Sequence, residues 1–428
     1  MTISTRPPIV TLTPARSLLP AGRESTLDLL IRIDAPAPEG PRERRLLNFG
    51  IVLDRSGSMS GQKLARAKEA VAFAVRNMAP ADRVSLTIYD DKVTTLVGSG
   101  PVSLAGPRIL ELLDSVQHRG STALHDAWVK GGLEVSEHLD TGRVNRVLLI
   151  SDGLANVGET NPDLLVSRAG ELFARGVSTS TIGVGANFNE DLMIPMAVSG
   201  GGSGWFVETP DDFRRIFEAE LAGLMSLFGE RGVMRIEPRR PGTLVVEVLN
   251  DLPAADDGSG GWKIGTLSHG QPLEIVARVK TRGGEVGQPL DLLDVRLSWD
   301  VIGQGRFELQ QLLRIACDDA AKVELLPVDP EVNRVVALLM AARARKEAIA
   351  HADAGDTGHA VELLRQESSI MSSMFVATGL SDYQAEAAEL EGLVSQYLAG
   401  GPEHDPVKAR KQAAYQAYSR ASKSQRKS

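Results

Sequence analysis

The chain has 428 residues, 43% of them hydrophobic, and a formal net charge of -8 at pH 7. A chain of this size buries a sizeable core and is long enough for two or three domains. Its acidic balance argues against general nucleic-acid binding, although a local basic patch remains compatible with it.

Cysteine content and hydropathy bear on the compartment. The single cysteine, Cys317, excludes an internal disulfide, and its apolar neighbours predict a buried thiol. No apolar run approaches the roughly 18 residues of a membrane span, and the start, Met1 to Pro8, lacks the apolar core of a secretion signal. We therefore expect a cytoplasmic protein with no membrane partner.

Residues 1–45 predict the N-terminal strands of a β-sandwich. The clearest strand has Leu27, Leu29, Ile31 and Ile33 alternating with polar residues. Two or three strands cannot stand alone, and the Pro-rich stretch Ala35–Pro41 reads as a linker into a different kind of sequence. Their partner sheet must therefore come from elsewhere in the chain.

Residues 46–228 alternate strands with helices. The predicted strands lie at Leu46–Leu53, Arg83–Tyr89, Lys92–Val97, Val144–Ile150 and Val177–Val184, and the helices at Gln62–Met78, Pro107–Val116, Ala123–Leu139 and Pro162–Arg175. Such alternation predicts an α/β fold, a doubly wound, mostly parallel, Rossmann-like sheet.

Residues 229–326 return to strands without helices. Period-two alternation at Leu244–Val248, Leu273–Val279 and Leu293–Val301 is typical of an antiparallel sandwich. We infer that the N-terminal strands join this sheet, so that the α/β domain is inserted into a β-sandwich. The alternative is a separate N-terminal hairpin packed on the α/β domain.

The remaining residues predict a helical region and a basic tail. Residues 327–399 are rich in Ala, Leu, Arg and Glu, a composition that favours helical hairpins. Residues 400–428 carry seven Lys and Arg side chains after Asp405 and no acid. We predict a solvated or disordered extension there, and the alternative is a docking segment for an acidic partner or nucleic acid.

A polar loop follows the first strand of the α/β region. Asp54, Ser56 and Ser58 alternate, so their side chains can converge on one point. A carboxylate and two hydroxyls are hard oxygen ligands suited to Mg²⁺, Mn²⁺ or Ca²⁺. Taken alone, the loop favours the other interpretation, a turn whose Asp and Ser cap the next helix.

Two further residues are expected at the same edge of the sheet. Ligands of open α/β sheets bind at the carboxyl ends of the strands, where the strand order reverses. In a 3-2-1-4-5 order, Asp54 and Asp152 end neighbouring strands at that point. The loop Gly120–Leu124 can deliver the Thr122 hydroxyl to the same edge.

The combination resembles a known site. The D-x-S-x-S triplet, the G-S-T loop and the strand-end S-D-G are similar to the metal-ion-dependent adhesion site of von Willebrand factor A domains, over about Leu46 to Phe228. The resemblance implies metal ligands at Asp54, Ser56, Ser58, Thr122 and Asp152. It also implies direct ligation by the hydroxyls and frequent water-mediated contact by the two carboxylates.

The resemblance implies a metal-dependent binding module. Neutral hydroxyls leave Mg²⁺ electron-poor with an open position, which an Asp or Glu of a partner protein can fill. Bacterial intracellular members of this family often work beside an AAA+ ATPase, which suggests an adaptor role here. The chain has no Walker motif, so such an ATPase would be a separate polypeptide.

An enzyme is the competing hypothesis. A metal beside Asp54 could support hydrolysis or phosphoryl transfer, but haloacid-dehalogenase-like phosphatases carry a second Asp where this chain has Ser56. A triad of Ser56, His125 and Asp152 lacks the G-x-S-x-G elbow, and His125 is expected at the surface. We therefore predict no catalytic residues.

Two other conspicuous stretches have simpler interpretations. Asp90 and Asp91 predict a polar hairpin turn, with a second cation site as the alternative. The run Gly200–Gly204 lacks the lysine of a phosphate-binding loop and predicts a flexible connection before a strand at Trp205–Val207.

Overall fold

The structure, a computed structural model, describes residues 6–36, 46–153, 155–185, 188–207, 216, 218, 226–255, 258, 260–301, 304–398, 410 and 413–418. The chain divides into two compact units. The α/β unit comprises Glu39–Arg231 with Asp300–Arg306, and the second unit comprises Met1–Pro38, Gly232–Trp299 and Phe307–Ser428.

The elements are named here in chain order. The strands are β1 (Ile9–Pro14), β2 (Leu18–Pro20), β3 (Glu24–Asp34), β4 (Leu47–Asp54), β5 (Arg83–Tyr89), β6 (Val93–Pro101), β7 (Val144–Ser151), β8 (Ser178–Val184), β9 (Gly201–Val207), β10 (Leu227–Pro238), β11 (Leu244–Val248), β12 (Trp262–Ser268), β13 (Leu273–Arg282), β14 (Pro289–Val301) and β15 (Gly305–Asp318). The helices are α1 (Gln62–Asn77), α2 (Val102–Leu113), α3 (Leu124–Ser136), α4 (Pro162–Ala174), α5 (Glu190–Ser199), α6 (Ala320–Leu325), α7 (Pro330–Asp353), α8 (Thr357–Thr378) and α9 (Ser381–Leu398).

The α/β unit is built on a sheet of order β6-β5-β4-β7-β8-β9. All neighbouring strands run parallel except β5 and β6, which are antiparallel. Strand β4 is buried along its whole length because both faces of the sheet are covered. Ile51 and Leu53 pack with α1 on one face, and Val52 packs with α3 on the other. The predicted α/β fold is confirmed.

Two predicted segments of this unit differ from the structure. The run Gly201–Gly204 lies inside β9 and is not a flexible connection. A Cβ on Gly202 would lie 2.1 Å from the carbonyl oxygen of Thr179, so close packing on β8, which no local propensity signals, requires a glycine there. Helix α2 begins at Val102, five residues before Pro107, which lies within the helix.

The second unit contains two further sheets, of order β1-β3-β13-β11 and β12-β10-β14-β15-β2. Strand β3 pairs antiparallel with β1 and, from Glu24 to Ile33, with β13. Pairing of β3 with a strand from beyond the α/β unit argues against the separate N-terminal hairpin. Cys317 is buried, and its sulfur accepts a hydrogen bond from the Gly284 backbone N–H.

Helices α7, α8 and α9 follow the last strand. Asp329 caps α7 by accepting hydrogen bonds from the N–H groups of Glu331 and Val332. Deeper in the bundle, Arg345 and Glu386 form an ion pair between side chains with no exposed area. No helix in the described part of the chain has the length and apolar character to span a membrane.

The basic tail differs in part from its prediction as a solvated extension. Residues 413–418 are helical, and Ala413 is buried in the hydrophobic cluster of α7, α8 and α9. Arg410 pairs with both carboxylate oxygens of Asp353, at 2.9 and 3.0 Å. Ala413 and Ala417, four residues apart and so on one face of this helix, are both buried. The rest of the tail lies outside the described residues.

Candidate functional site

The candidate site lies at the carboxyl edge of the α/β sheet, where the strand order reverses. Strands β4 and β7 are parallel neighbours, with Leu53 opposite Ile150. Asp54 therefore ends one strand beside the point where Asp152 follows the other. Burial is the main cause that raises the pKa of Asp54, and the nearby charge of Asp152 acts in the same direction, as expected for two carboxylates at one edge.

The loop after β4 folds onto its own aspartate. Asp54 Oδ1 accepts a hydrogen bond of 2.8 Å from the Ser56 N–H. A 3-10 turn then spans Gly57–Met59, anchored by the buried Met59 side chain. The turn brings the Ser56 and Ser58 hydroxyl oxygens to 3.0 Å from each other. Ser56 is buried and Ser58 is exposed, so this hydroxyl pair lies at the boundary with solvent.

Asp54 itself is fully buried and strongly perturbed. Burial raises its pKa to about 6, against the opposing effect of hydrogen bonds from Ser151 and Ser56. Its Oδ2 accepts hydrogen bonds from the Ser151 hydroxyl at 2.6 Å and the Tyr89 hydroxyl at 3.3 Å. Both Asp54 oxygens therefore have protein donors.

The loop that carries Thr122 is attached to the Asp54 loop through the backbone. The Gly57 N–H donates to the Gly120 carbonyl at 3.0 Å, and the Arg119 N–H donates to the Arg55 carbonyl at 2.8 Å. Gly120 has a φ of +68°, which favours glycine. Thr122 is buried beside this turn.

The loop after β7 completes the arrangement. Its Asn156 side-chain oxygen accepts from the Thr122 N–H at 2.8 Å, and the Asn156 N–H donates to the Thr122 carbonyl at 3.1 Å. The Asp152 carbonyl accepts from the Asn189 N–H at 2.8 Å, which ties the loop to the start of α5. Three loops are thus joined by backbone hydrogen bonds around one rim.

Asp152 has one paired and one unpaired oxygen. The Lys63 ammonium lies 3.3 Å from Oδ2, reaching across from the first turn of α1. Oδ1 is buried and has no hydrogen-bond partner among the described residues. A buried carboxylate oxygen without a donor is costly, so Oδ1 of Asp152 is a candidate ligand for a cation.

Asp90 belongs to the hairpin turn expected there. Its Oδ1 accepts from the Lys92 N–H at 2.8 Å. Its Oδ2 pairs with the guanidinium groups of Arg55 at 2.8 Å and Arg119 at 2.6 Å. Although burial raises the pKa of Asp90, the hydrogen bond from Arg119 and the charge of Arg55 outweigh it and hold the pKa below its usual value. Asp90 thus holds two loops of the rim together.

His125 was expected at the surface, but it is largely covered. Its side chain is 13% exposed, with Nδ1 2.9 Å from Asp126 and Nε2 against the guanidinium of Arg168. Ser56 is hydrogen-bonded to Ser58 instead. The conceivable triad of Ser56, His125 and Asp152 is therefore not assembled.

The donor set at the rim fits a hard cation. Two carboxylates and three hydroxyls supply only oxygen, the preference of Mg²⁺. Among the residues that the structure describes, no three His, Cys, Asp or Glu side chains group around a metal position, so hydroxyls would have to complete the set. The unpaired Asp152 Oδ1 is the observation that supports the fit.

Sequence reasoning missed three residues of the rim. Ser151, Lys63 and Tyr89 each contact one of the two aspartates. Ser151 precedes Asp152 in the quoted S-D-G and could have been singled out. Lys63 and Tyr89 reach the rim only through helix and strand placement, which no local pattern reveals.

The fold and the rim define a Rossmann-like α/β domain with a candidate binding site at the point where the strand order reverses. Residues 49–154 match the family model of the von Willebrand factor type A domain. The chain contains such a domain.

Solved structures and relatives are similar to different extents of the chain. A von Willebrand factor type A protein from Catenulispora acidiphila is similar over 99% of each chain, with a TM-score of 0.73 and 16% identity. The ArnB paralog VWA2 from Sulfolobus acidocaldarius covers 96% of this chain and 98% of its own, with a TM-score of 0.62 and 17% identity. At such identities the likeness shows the fold alone.

A curated relative is similar over a shorter stretch. An uncharacterized protein of Synechocystis sp. is 28% identical over 193 residues, 44% of this chain and 45% of that protein. The chain spans less than half the length of the first curated relatives that it matches.

Proposed function

We propose that this chain is a metal-dependent protein-interaction module with no catalytic activity of its own. Asp54, Ser56, Ser58, Thr122 and Asp152 would hold Mg²⁺, with Mn²⁺ or Ca²⁺ as alternatives. A carboxylate of a partner protein would complete the site. The proposal depends chiefly on one observation, the buried and unpaired Oδ1 of Asp152 at a rim of hydroxyl groups.

The residues divide the work. Asp54 has protein donors to both oxygens, so it orients the loop and adds negative charge. Ser56 and Ser58 present hydroxyl oxygens at the solvent boundary, where an incoming side chain has access. A bound Mg²⁺ would supply a Lewis-acidic position for the partner's carboxylate.

The proposal also includes the arrangement of the domains and the class of partner protein. The pairing of β3 with β13 supports an α/β domain inserted into a β-sandwich and followed by a helical region. We propose an adaptor role, and an AAA+ ATPase is the partner class that the family resemblance suggests.

Metal binding tests the site directly. Calorimetric titration of the full chain with Mg²⁺ and Mn²⁺ should show one site in the native protein and a large loss of affinity in Asp152→Asn. Asp163→Asn, which changes an exposed acid on α4, is the charge-matched control and should bind normally. Equal binding by all three proteins would place the metal elsewhere.

Partner capture tests the use of the site. Pull-downs from native lysate are run with metal, with chelator, and with Asp54→Ala. A partner retained equally in all three contradicts metal-dependent recognition, and the absence of any AAA+ ATPase among chelator-sensitive partners contradicts that partner class. Phosphatase or esterase turnover in Mg²⁺ that is lost in Asp54→Ala would favour the hydrolase alternative.

A further inference from the structure

Lys63 places a positive charge inside the candidate site. Its Nζ lies 3.3 Å from Asp152 Oδ2, which has no exposed area. The side chain starts from the first turn of α1 and crosses to the loop after β7. The Lys63 ammonium therefore neutralises the Asp152 carboxylate, which the proposed function assigns to a divalent metal ion.

The stem of Lys63 passes close to a glycine. Gly185, at the end of β8, has a φ of +79°, and a Cβ at this position would lie 2.7 Å from Lys63 Cε and 3.4 Å from Cδ. The stem of the lysine thus packs directly on backbone that lacks a side chain. Lys63 is 26% exposed, so its ammonium also has a route toward solvent.

The charges make the two cations competitors. Lys63 pairs with one oxygen of Asp152, while the other oxygen is buried and unpaired. A divalent cation bound at Asp152 would face the ammonium at short range in a poorly solvated site, where like charges repel strongly. The flexible four-carbon stem lets the ammonium withdraw toward solvent.

We propose that Lys63 is a built-in counter-ion that a divalent cation must displace from Asp152. In this role Lys63 keeps the metal-free domain folded and lowers its affinity for metal. The inference rests on the proposed function, because it takes Asp152 as part of the metal site.

The test compares the full chain with Lys63→Met by calorimetry and thermal unfolding. Lys63→Met should bind Mn²⁺ about tenfold more tightly, which is about 1.4 kcal/mol. In chelator its Tm should fall, because Asp152 loses the ion pair with Lys63, whereas its Tm increase on adding Mn²⁺ should exceed that of the native chain. A purely structural lysine would lower the Tm equally with and without metal.

Lys68→Met is the matched control. Lys68 lies on the same helix and donates hydrogen bonds to the carbonyls of Asp114 and Val116, and its replacement by Met removes the same charge. Its Mn²⁺ affinity should equal that of the native chain. Lys63→Gln, which keeps a polar end without the charge, repeats the test if Lys63→Met does not fold.

The outcomes separate the two proposals. If the native protein binds Mn²⁺ and the Lys63 variants bind it equally or more weakly, the counter-ion role is wrong. The proposed metal site is then still supported. Binding by neither the native chain nor the variants overturns both. Binding by the variants alone supports a lysine that blocks the site.

Discussion

The Ser151 hydroxyl donates a 2.6 Å hydrogen bond to Asp54 Oδ2 and accepts one of 2.8 Å from the Gly153 N–H. One side chain thus connects the end of β4 with the loop after β7. Because Asp54 is fully buried, this donor partly replaces the water that its carboxylate has lost.

Ser151→Ala should therefore destabilise the α/β unit. Loss of a donor to a buried carboxylate costs about 2 kcal/mol of unfolding free energy, measured by urea unfolding in chelator. Ser115→Ala removes an exposed hydroxyl that donates to the Leu112 carbonyl, and it should cost about 0.5 kcal/mol or less. Similar losses in both variants would show that the Ser151–Asp54 hydrogen bond contributes little.

Close packing in β9 gives a second prediction. Gly202→Ala would force a Cβ to within 2.1 Å of the Thr179 carbonyl oxygen, so the strand must shift, at a cost of about 3 kcal/mol. Gly204→Ala in the same strand meets its nearest atom at 3.4 Å and should change stability by less than about 1 kcal/mol. Thermal unfolding of the two variants measures the difference, and equal values contradict the packing argument.

The third prediction concerns the buried ion pair of Arg345 and Glu386 in the helical region. Arg345→Met leaves the carboxylate of Glu386 buried without its guanidinium partner, which should cost about 3–5 kcal/mol. The double variant Arg345→Met with Glu386→Leu removes both charges and should recover much of that loss. A double-mutant cycle in urea measures the coupling, and strictly additive losses would count against a direct pair.

The fourth prediction concerns the docking of residues 413–418 on the helical region. Ala413→Asp would bury a charge in the cluster of α7, α8 and α9. It should detach the tail or lower the unfolding free energy of those helices by about 2–7 kcal/mol, the range for burying an unpaired polar group. Ala388→Asp places the same charge at an exposed position of α9 and should be nearly neutral. Hydrogen exchange of residues 413–418 reports the docking directly. Unchanged protection in Ala413→Asp would contradict it.

The regular part of the fold was predictable because its signals are local. Strand β5 has the predicted bounds, Arg83–Tyr89, since its apolar run is bounded by turn residues on both sides. Strand β9 begins at Gly201, four residues before the predicted start at Trp205, because glycine disfavours strands and hides the signal. The proximity of the Thr179 carbonyl explains the glycine at position 202. Local propensity therefore failed where a tertiary contact decided the residue.

The same distinction applies to the candidate site. The sequence could predict that Asp54 and Asp152 lie at the same edge of the sheet, because the neighbouring parallel strands β4 and β7 end there. Lys63 could not be placed, since its contact with Asp152 depends on how α1 lies over the sheet and on the close approach of its stem to Gly185. The assignment of five metal ligands itself stays a prediction.

The pairing of β3 with β13 has a consequence for biosynthesis. Asp28 of β3 and Arg278 of β13 form an ion pair although they are 250 positions apart in the chain. On the ribosome, β3 must therefore wait for β13 to emerge, whereas the strands of the α/β sheet follow one another between Leu47 and Val207. During synthesis β3 can pair with β1 at once, but its edge from Glu24 to Ile33 stays without its final partner until β13 has been made.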